Sequence, residues 1–367
     1  MQTNTVNPAR LSALLDITDL TNHPRHAIAQ VVEVICGALD DYPSLRRIQG
    51  PPIVSALHNY TLLGYPADAV VQAGTYTQWV DDKQILRTQT TSLILQALID
   101  ISSCPAACTL VAPGMVYRRD VRDRWHCGQP HQMDVWVLTP KHTQSPSDLQ
   151  GLVHRITSAV IPGVELDVQQ TSHPYTQQGI EISAKWQNQW LEIGEAGLID
   201  PALLSRLGID PDAWDGLAMG VGLDRLVMVR KNLPDIRLLR DPLPSIAKQM
   251  LTLSPWKPVS RQPLAPREIS IARQAGESEE SLTEQVIELL GEHASWLQSL
   301  EVMGRWPQQS LVPAAVGRLG MLPDQENLLL RLTWQSESAS LERSKVNAIM
   351  QILYRQLHQG SSWEYCP

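Results

Sequence analysis

Apolar residues recur at helical spacing early in the chain. Ile28, Val31, Val32, Ile35 and Leu39 keep the i, i+3, i+4, i+7 positions behind a proline and predict a helix from Pro24 to about Leu39. Gln49-Gly50-Pro51-Pro52 breaks that rhythm. Between Leu110 and Leu138 the period changes to two, which predicts two strands joined by a polar loop. On the first, Met115, Tyr117 and Arg119 point one way and Val116, Arg118 and Asp120 the other. On the second, Gln132, Asp134 and Trp136 share a face opposite Met133, Val135 and Val137. Trp190-Leu191-Glu192-Ile193 alternates in the same manner, and Gly216, Gly220 and Gly222 precede a helix beginning near Leu223.

Pro242, Pro244, Pro255, Pro258, Pro263 and Pro266 crowd the stretch that follows and predict a domain seam. The expected division is a first domain over 1–247, a proline-rich linker over 248–266 and a second domain over 267–367. The second has its own pattern. A strand at Ile269 to Ile271 is followed by a capping box at Ser281-Leu282-Thr283-Glu284, which opens a helix running to about Leu290. Strands follow at Leu300 to Met303 and Leu328 to Trp334. A helix striped by Val346, Ile349, Met350, Leu353 and Leu357 stops by Gly360, and Trp363 to Tyr365 form a last strand. The order βαββαβ is that of a ferredoxin-like module.

Composition narrows the class. The 367 residues, 43% hydrophobic and 19% charged, exceed what one core ordinarily holds and suit two globular domains. No apolar run is long enough for a membrane span and no secretory signal is evident, so a cytoplasmic protein without membrane contact is expected. A net charge of −8 argues against nucleic-acid binding by bulk charge but leaves room for a local basic groove. The five cysteines, with no CxxC pair, read as reduced thiols. The chain has 11 Trp and 8 Tyr but no Phe, so something other than packing has excluded that one aromatic.

Chemistry enters with charges on strands that also carry core. Arg118 and Asp120 share a strand face, Gln132 and Asp134 another; Glu192 lies on a third strand and Arg225 at a glycine-flanked helix start. Buried charges are costly unless paired or liganded, and arginines with carboxylates suit a polyphosphate and its metal. Spacing alone leaves open a set of surface salt bridges.

The local sequences add a resemblance. Val116-Tyr117-Arg118-Arg119-Asp120, then ten residues, then His131-Gln132-Met133-Asp134, resembles motif 2 of class II aminoacyl-tRNA synthetases, and Gly220-Val221-Gly222-Leu223-Asp224-Arg225 resembles motif 3. Leu86-Arg87-Thr88-Gln89-Thr90-Thr91, Trp190-Leu191-Glu192-Ile193 and Asp235-Ile236-Arg237 are similar to the catalytic α chain of phenylalanyl-tRNA synthetases. Arg267-Glu268-Ile269-Ser270 and Ser340 to Asn347 resemble the anticodon-binding ferredoxin-like domain of the same enzymes. The resemblance implies an α+β fold, an antiparallel sheet flanked by helices followed by the ferredoxin-like domain, in a single-chain arrangement. It implies ATP- and Mg²⁺-dependent activation of L-phenylalanine, with transfer to tRNA. The chain would act without a separate β chain and as a monomer rather than a homodimer. Arg118 would contact the α-phosphate and Arg225 the γ-phosphate. Glu192 would serve as the metal ligand, Asp120 and His126 would stand near the nucleotide, and Gln132 and Asp134 would receive the substrate ammonium.

Several positions depart from that pattern. Gln89 stands where a His usually helps hold the amino group, Thr91 where a Ser does, and Asp134 replaces a Glu. Pro130 replaces a Phe that stacks on adenine. His173 and Tyr175 take the places of two Phe that grip the substrate ring, while Ala218, which limits the ring's far end, is retained. Either the pocket was rebuilt for another aromatic or a β-amino acid, or Phe was purged throughout, as would suit an enzyme made when Phe-tRNA is scarce. The purge does not account for Gln89, Thr91 or Asp134. From Ser254 onward, ten Lys plus Arg stand against thirteen Asp plus Glu. That balance keeps a third reading, a catalytically weak sensor of tRNA or amino acid, beside the two enzymes.

Overall fold

In the computed structural model the described residues are 5–67, 69, 72, 76–118, 123–259, 262–336 and 340–363, with residue 280 described by its backbone alone. The chain divides into two compact units, Met1–Lys257 and Pro258–Pro367. The first opens with α1 (Pro8–Leu15), α2 (Ala27–Ala38), β1 (Leu45–Arg47), β2 (Ile53–Ser55), β3 (Gln84–Leu86) and α3 (Thr91–Ile101). It continues with β4 (Cys108–Met115), β5 (His131–Pro140), α4 (Pro146–Val160), β6 (Leu166–Gln170), β7 (Thr176–Trp186) and β8 (Gln189–Ile199). It closes with α5 (Pro201–Arg206), β9 (Trp214–Gly222), α6 (Leu223–Lys231) and α7 (Pro244–Gln249).

Seven of these strands form one sheet in the order β1-β4-β5-β9-β8-β7-β6. Its neighbours are antiparallel except β1, which lies parallel to β4. The expected antiparallel sheet is therefore mixed at one edge, because the three residues of β1 are too few to show a period. Alternation along β5 separates two layers. Trp136 and Leu138 pack with Leu93 and Leu95 of α3 and with Leu203 and Leu204 of α5. Met133, Val135 and Val137, also buried, point to the other face, where α2, α4 and α6 pack together.

Element ends differ from the expected ones for local reasons. The first predicted helix begins at Ala27 rather than Pro24, because the His26 ring caps it by accepting from the Ile28 N–H at 3.2 Å. Strand β4 stops at Met115. The next residues stay bonded to the return segment, with Val116 N–H on Pro130 O at 2.8 Å and Arg118 N–H on Gly128 O at 2.9 Å. Arg119 and Asp120 lie outside the described residues.

The expected linker is divided. Residues up to Lys257 belong to the first unit, and Lys231 is the reason. Its side chain is buried and its ammonium donates to the carbonyls of Gln249, Thr252 and Ser254 at 3.0, 2.8 and 2.6 Å. Burial lowers its pKa, but three carbonyls replace the lost water.

The second unit holds β10 (Ala265–Gln274), α8 (Glu279–Leu290), β11 (Leu297–Pro307), α9 (Pro313–Leu319), β12 (Gln325–Trp334) and α10 (Arg343–Leu357). The strands pair antiparallel in the order β10-β12-β11. Ile269, Ile271, Leu328 and Leu330 meet Leu282 and Val286 of α8 and Ile349 and Leu353 of α10 in one core. Helix α8 starts earlier than the Ser281 capping box implied; Ser278 caps it, accepting from the Ser281 N–H at 3.1 Å. The expected final strand falls mostly outside the described residues, and Trp363 itself is not in a strand. Two of its cations are paired with carboxylates: Arg305 with Glu326 at 2.8 Å and Arg331 with Glu268 at 2.6 Å. Among the described residues no helix is long and apolar enough to cross a membrane, and Cys36, Cys104, Cys108 and Cys127 are free thiols.

Lys231→Met should strand three carbonyls and lower the unfolding free energy by about 2–4 kcal/mol. Urea denaturation checks this, and an unchanged midpoint would contradict the closing role of Lys231.

Candidate active site

The face of the large sheet that carries Trp136 opens into a cavity of about 450 Å³. Its floor is set by strand register. Gln132 of β5 lies opposite Gly222 of β9, Asp134 opposite Gly220, and Trp136 opposite Ala218. On the other side of β9, Glu195 of β8 lies opposite Gly220 and Gly197 opposite Ala218. No atom comes within 4 Å of where a side chain at Gly220 would begin, so the middle of the floor is open space. The cavity takes Gln89 and Thr91 from the approach to α3, His173 and Tyr175 from the approach to β7, and Arg225 from the first turn of α6. Arg118 and His126 enter from the segment between β4 and β5, and Glu192 from β8. Every expected site residue within the described chain thus lines one cavity. Asp120 is the exception, lying outside the described residues.

The region that delivers Arg118 is anchored by a second arginine. Buried Arg87 donates through Nε to Met115 O at 2.8 Å and through Nη1 to Gly50 O at 3.0 Å, with Asp19 Oδ2 3.7 Å from Nη2. Any side chain at Gly114 would begin 2.5 Å from Arg87 Nη2, so only glycine lets the strand pass the anchored guanidinium. Arg118 donates from Nε to Thr88 O at 3.0 Å. Its terminal nitrogens have no acceptor among the described residues. Arg225 instead donates to Glu192, at 2.9 Å to its carbonyl and 3.3 Å to Oε2.

The carboxylates differ in how fully they are engaged. Asp134 accepts from the hydroxyls of Thr90 at 2.6 Å and Thr91 at 2.8 Å and from Trp136 Nε1 at 3.1 Å. Burial raises its pKa even so, with those bonds and the Arg118 charge acting in the opposite direction. The Thr91 hydroxyl is therefore directed at Asp134, and Gln89 donates to Asn59 O at 2.8 Å. His126 is held by Asp123, whose Oδ1 is 3.0 Å from Nδ1. The Trp125 N–H, then the His126 ring and N–H, draw the Asp123 pKa down. Buried His131 meets the donors Leu20 N–H at 3.2 Å and Arg240 Nη2 at 2.9 Å at its Nε2, which leaves the ring proton on Nδ1, facing Asp224.

Sequence reasoning passed over Glu195, Tyr65 and Tyr60. The predicted strand stopped at Ile193 although β8 runs on to Ile199. The two tyrosines stand within and just after an irregular helical turn, Leu57–Thr61, that has no readable period. Glu195 Oε2 lies 2.8 Å from His173 Nε2, at angles that make the contact an ion pair more than a directed hydrogen bond. Tyr175 stacks offset on Trp136 with centroids 6.2 Å apart, and His173 and Tyr65 tilt against it at 5.6 and 6.3 Å. Burial raises the phenol of Tyr175 well above its ordinary range, and burial with the Glu195 charge pushes that of Tyr65 up to about 12.

Residues 12–250 match the family described as tRNA synthetases class II core domain (F). The chain belongs to this class II synthetase family. Among curated relatives, the phenylalanine–tRNA ligase alpha subunit of Prochlorococcus marinus strain NATL2A is 30% identical over 245 residues, which is 65% of this chain and 71% of that protein. The alpha subunit of Thermosynechococcus vestitus is 30% identical over 216 residues, covering 59% of this chain and 61% of the relative. That of Haemophilus ducreyi is 32% identical over 190 residues, covering 51% and 56%. For the latter two, the shared region spans less than two thirds of the relative's own length.

The cavity fits a magnesium–nucleotide substrate. Its lining includes two guanidinium groups, a chemistry that suits phosphate oxygens, and side-chain-free Gly220 and Gly222 leave room for a flat ligand. The described residues contain no group of three His, Cys, Asp or Glu able to cage a metal. One carboxylate is enough for a Mg²⁺ that arrives on phosphates, and Glu192, on the cavity wall, is the residue that would hold it.

The Glu195 carboxylate raises the His173 pKa. A raised folded-state value means the pair's stabilisation is complete below the ordinary histidine pKa and lost as pH rises through the folded one. The stability difference between the native protein and His173→Gln should therefore shrink as pH rises above the ordinary histidine range, as followed by thermal unfolding. A difference that grows with pH would contradict the pairing.

Proposed function

We propose that the first unit activates L-phenylalanine, or an aromatic amino acid of its size, with ATP and passes it to a tRNA. The observation that carries this reading is Arg118. It is a guanidinium with no acceptor on its terminal nitrogens among the described residues, and it shares one cavity with the Arg225–Glu192 pair and an aromatic wall. The amino-acid carboxylate attacks the α-phosphorus, the new P–O bond forms, and pyrophosphate leaves with the electron pair of the broken bond. Arg118 neutralises charge at the α-phosphoryl oxygens, and Arg225 orients the departing pyrophosphate. Glu192 would hold Mg²⁺, which when bound would supply further charge neutralisation. Gln89 and Gln132 fix the amino acid while Asp134 orients Thr91, so the step needs positioning and electrostatics rather than a protein nucleophile. The aminoacyl group then passes to a terminal tRNA hydroxyl. The second unit would touch the tRNA through cations not already engaged by Glu268 and Glu326, and the chain would work alone, without a β chain.

Amino-acid-dependent exchange of labelled pyrophosphate into ATP by the isolated chain tests this. Exchange is expected with at least one aromatic amino acid, and Arg118→Ala should lower its rate by about 100-fold or more with the fold intact by circular dichroism. Absence of exchange with every standard amino acid and aromatic analogue would overturn the reading in favour of a sensor. Undiminished exchange by Arg118→Ala would overturn the role of that residue.

A further inference from the structure

One row of the cavity floor runs Asp134–Gly220–Glu195 across three strands, placing two carboxylates on either side of an open glycine. Adjacent strands lie about 4.8 Å apart, so the two backbones are roughly 10 Å from each other. The two acids are not equivalent. Asp134 already accepts from Thr90, Thr91 and Trp136. The described partner of Glu195 is His173 alone, in a poorly directed contact, and the Glu195 side chain keeps 34% of its surface exposed. Beside it, two buried polar atoms that line the same cavity, His173 Nε2 and Thr176 Oγ1, meet no partner at hydrogen-bonding angles. The aromatic wall of Trp136, Tyr175 and Tyr65 adjoins this corner, and both tyrosines feel the Glu195 charge.

A bare hydrocarbon ring seated against that wall would take water from Glu195 and His173 and give nothing in return, which is costly for charged and polar groups. A ring bearing an O–H or N–H would replace the water. We propose that Glu195 is a specificity-determining residue that accepts a hydrogen bond from a donor on the substrate's aromatic side chain, so that the cavity prefers a hydroxyl- or amino-substituted phenylalanine to phenylalanine itself. This rests on the reading of the cavity as an amino-acid-activating site. It also separates two accounts of His173 and Tyr175: replacement of Phe by any other aromatic would need no carboxylate opposite them.

The test measures calorimetric binding and pyrophosphate exchange on the full chain with L-phenylalanine, L-tyrosine and 3-amino-L-phenylalanine, for the native protein, Glu195→Ala and Glu195→Gln. The native protein is expected to bind at least one donor-bearing ligand about tenfold or more tighter than phenylalanine. Glu195→Ala should erase that preference, weakening the donor-bearing ligand about tenfold while phenylalanine binds better; Glu195→Gln, still an acceptor, should keep part of it. Phenylalanine binding tightest to the native protein, or Glu195→Ala shifting all three ligands alike, would overturn the assignment. Binding preference without exchange would refute the activation reading and leave Glu195 as the selecting residue. Exchange that favours phenylalanine regardless of Glu195 would do the reverse, and no binding of any ligand would overturn both. Circular dichroism of each variant separates misfolding from altered choice.

Discussion

The cost of holding charge inside a sheet governs this protein. Each carboxylate around the cavity floor has a specific answer to that cost. Asp134 is met by two hydroxyls and an indole, Asp224 by the His131 ring and N–H, Glu192 by Arg225, and Glu195 by His173. Removing one partner from such a pair leaves the other stranded, which costs more than the pair contributes. The acids around the cavity thus differ in how many partners the protein itself supplies. Among the described residues Asp134 has three donors, whereas Glu195 and Glu192 each have one ion-pair partner.

The scaffold follows the same rule at larger scale. Arg87 ties the end of β4 to the Gly50–Pro51 turn, and its close passage past Gly114 places Arg118 at the cavity. Lys231, at the far end of α6 from Arg225, gathers the carbonyls that end the first unit. Both cations satisfy backbone acceptors that would otherwise be buried without donors, so they serve as fasteners rather than as site residues. In the second unit Arg305 and Arg331 are absorbed by carboxylates, consistent with its acidic balance.

Part of the site was legible in the chain because alternation along β5 puts Gln132, Asp134 and Trp136 on one face. The stretch that became β9 showed only glycines before a helix, and the pairing that sets Gly220 and Gly222 opposite Asp134 and Gln132 is a matter of tertiary register. Arg118 and Arg225 were legible through their motifs. What escaped depended on tertiary register. Glu195 has no partner in its own strand, and its importance comes from Gly220 beside it and from His173, which lies 22 residues earlier in the chain. Lys231 reads as an ordinary polar helix end until its three carbonyls are seen. The parallel strand β1 and the helix α9 are too short for periodicity to declare. Thr91 and Asp134, each expected beside the substrate amino group, are also bonded to one another, a contact that only the fold reveals.

The absence of Phe from a chain with 11 Trp and 8 Tyr leaves the aromatic wall to Trp136, Tyr175, Tyr65 and His173, groups that bring polar atoms with them. Those polar atoms and the open glycine floor define what the cavity accepts. A crystal structure with a non-hydrolysable ATP analogue and Mg²⁺ tests the central claim most directly. The α-phosphate oxygens should lie on the terminal nitrogens of Arg118, the γ-phosphate on Arg225 and the base over Gly222. A nucleotide bound elsewhere, or bound here with Arg118 unengaged, would contradict it.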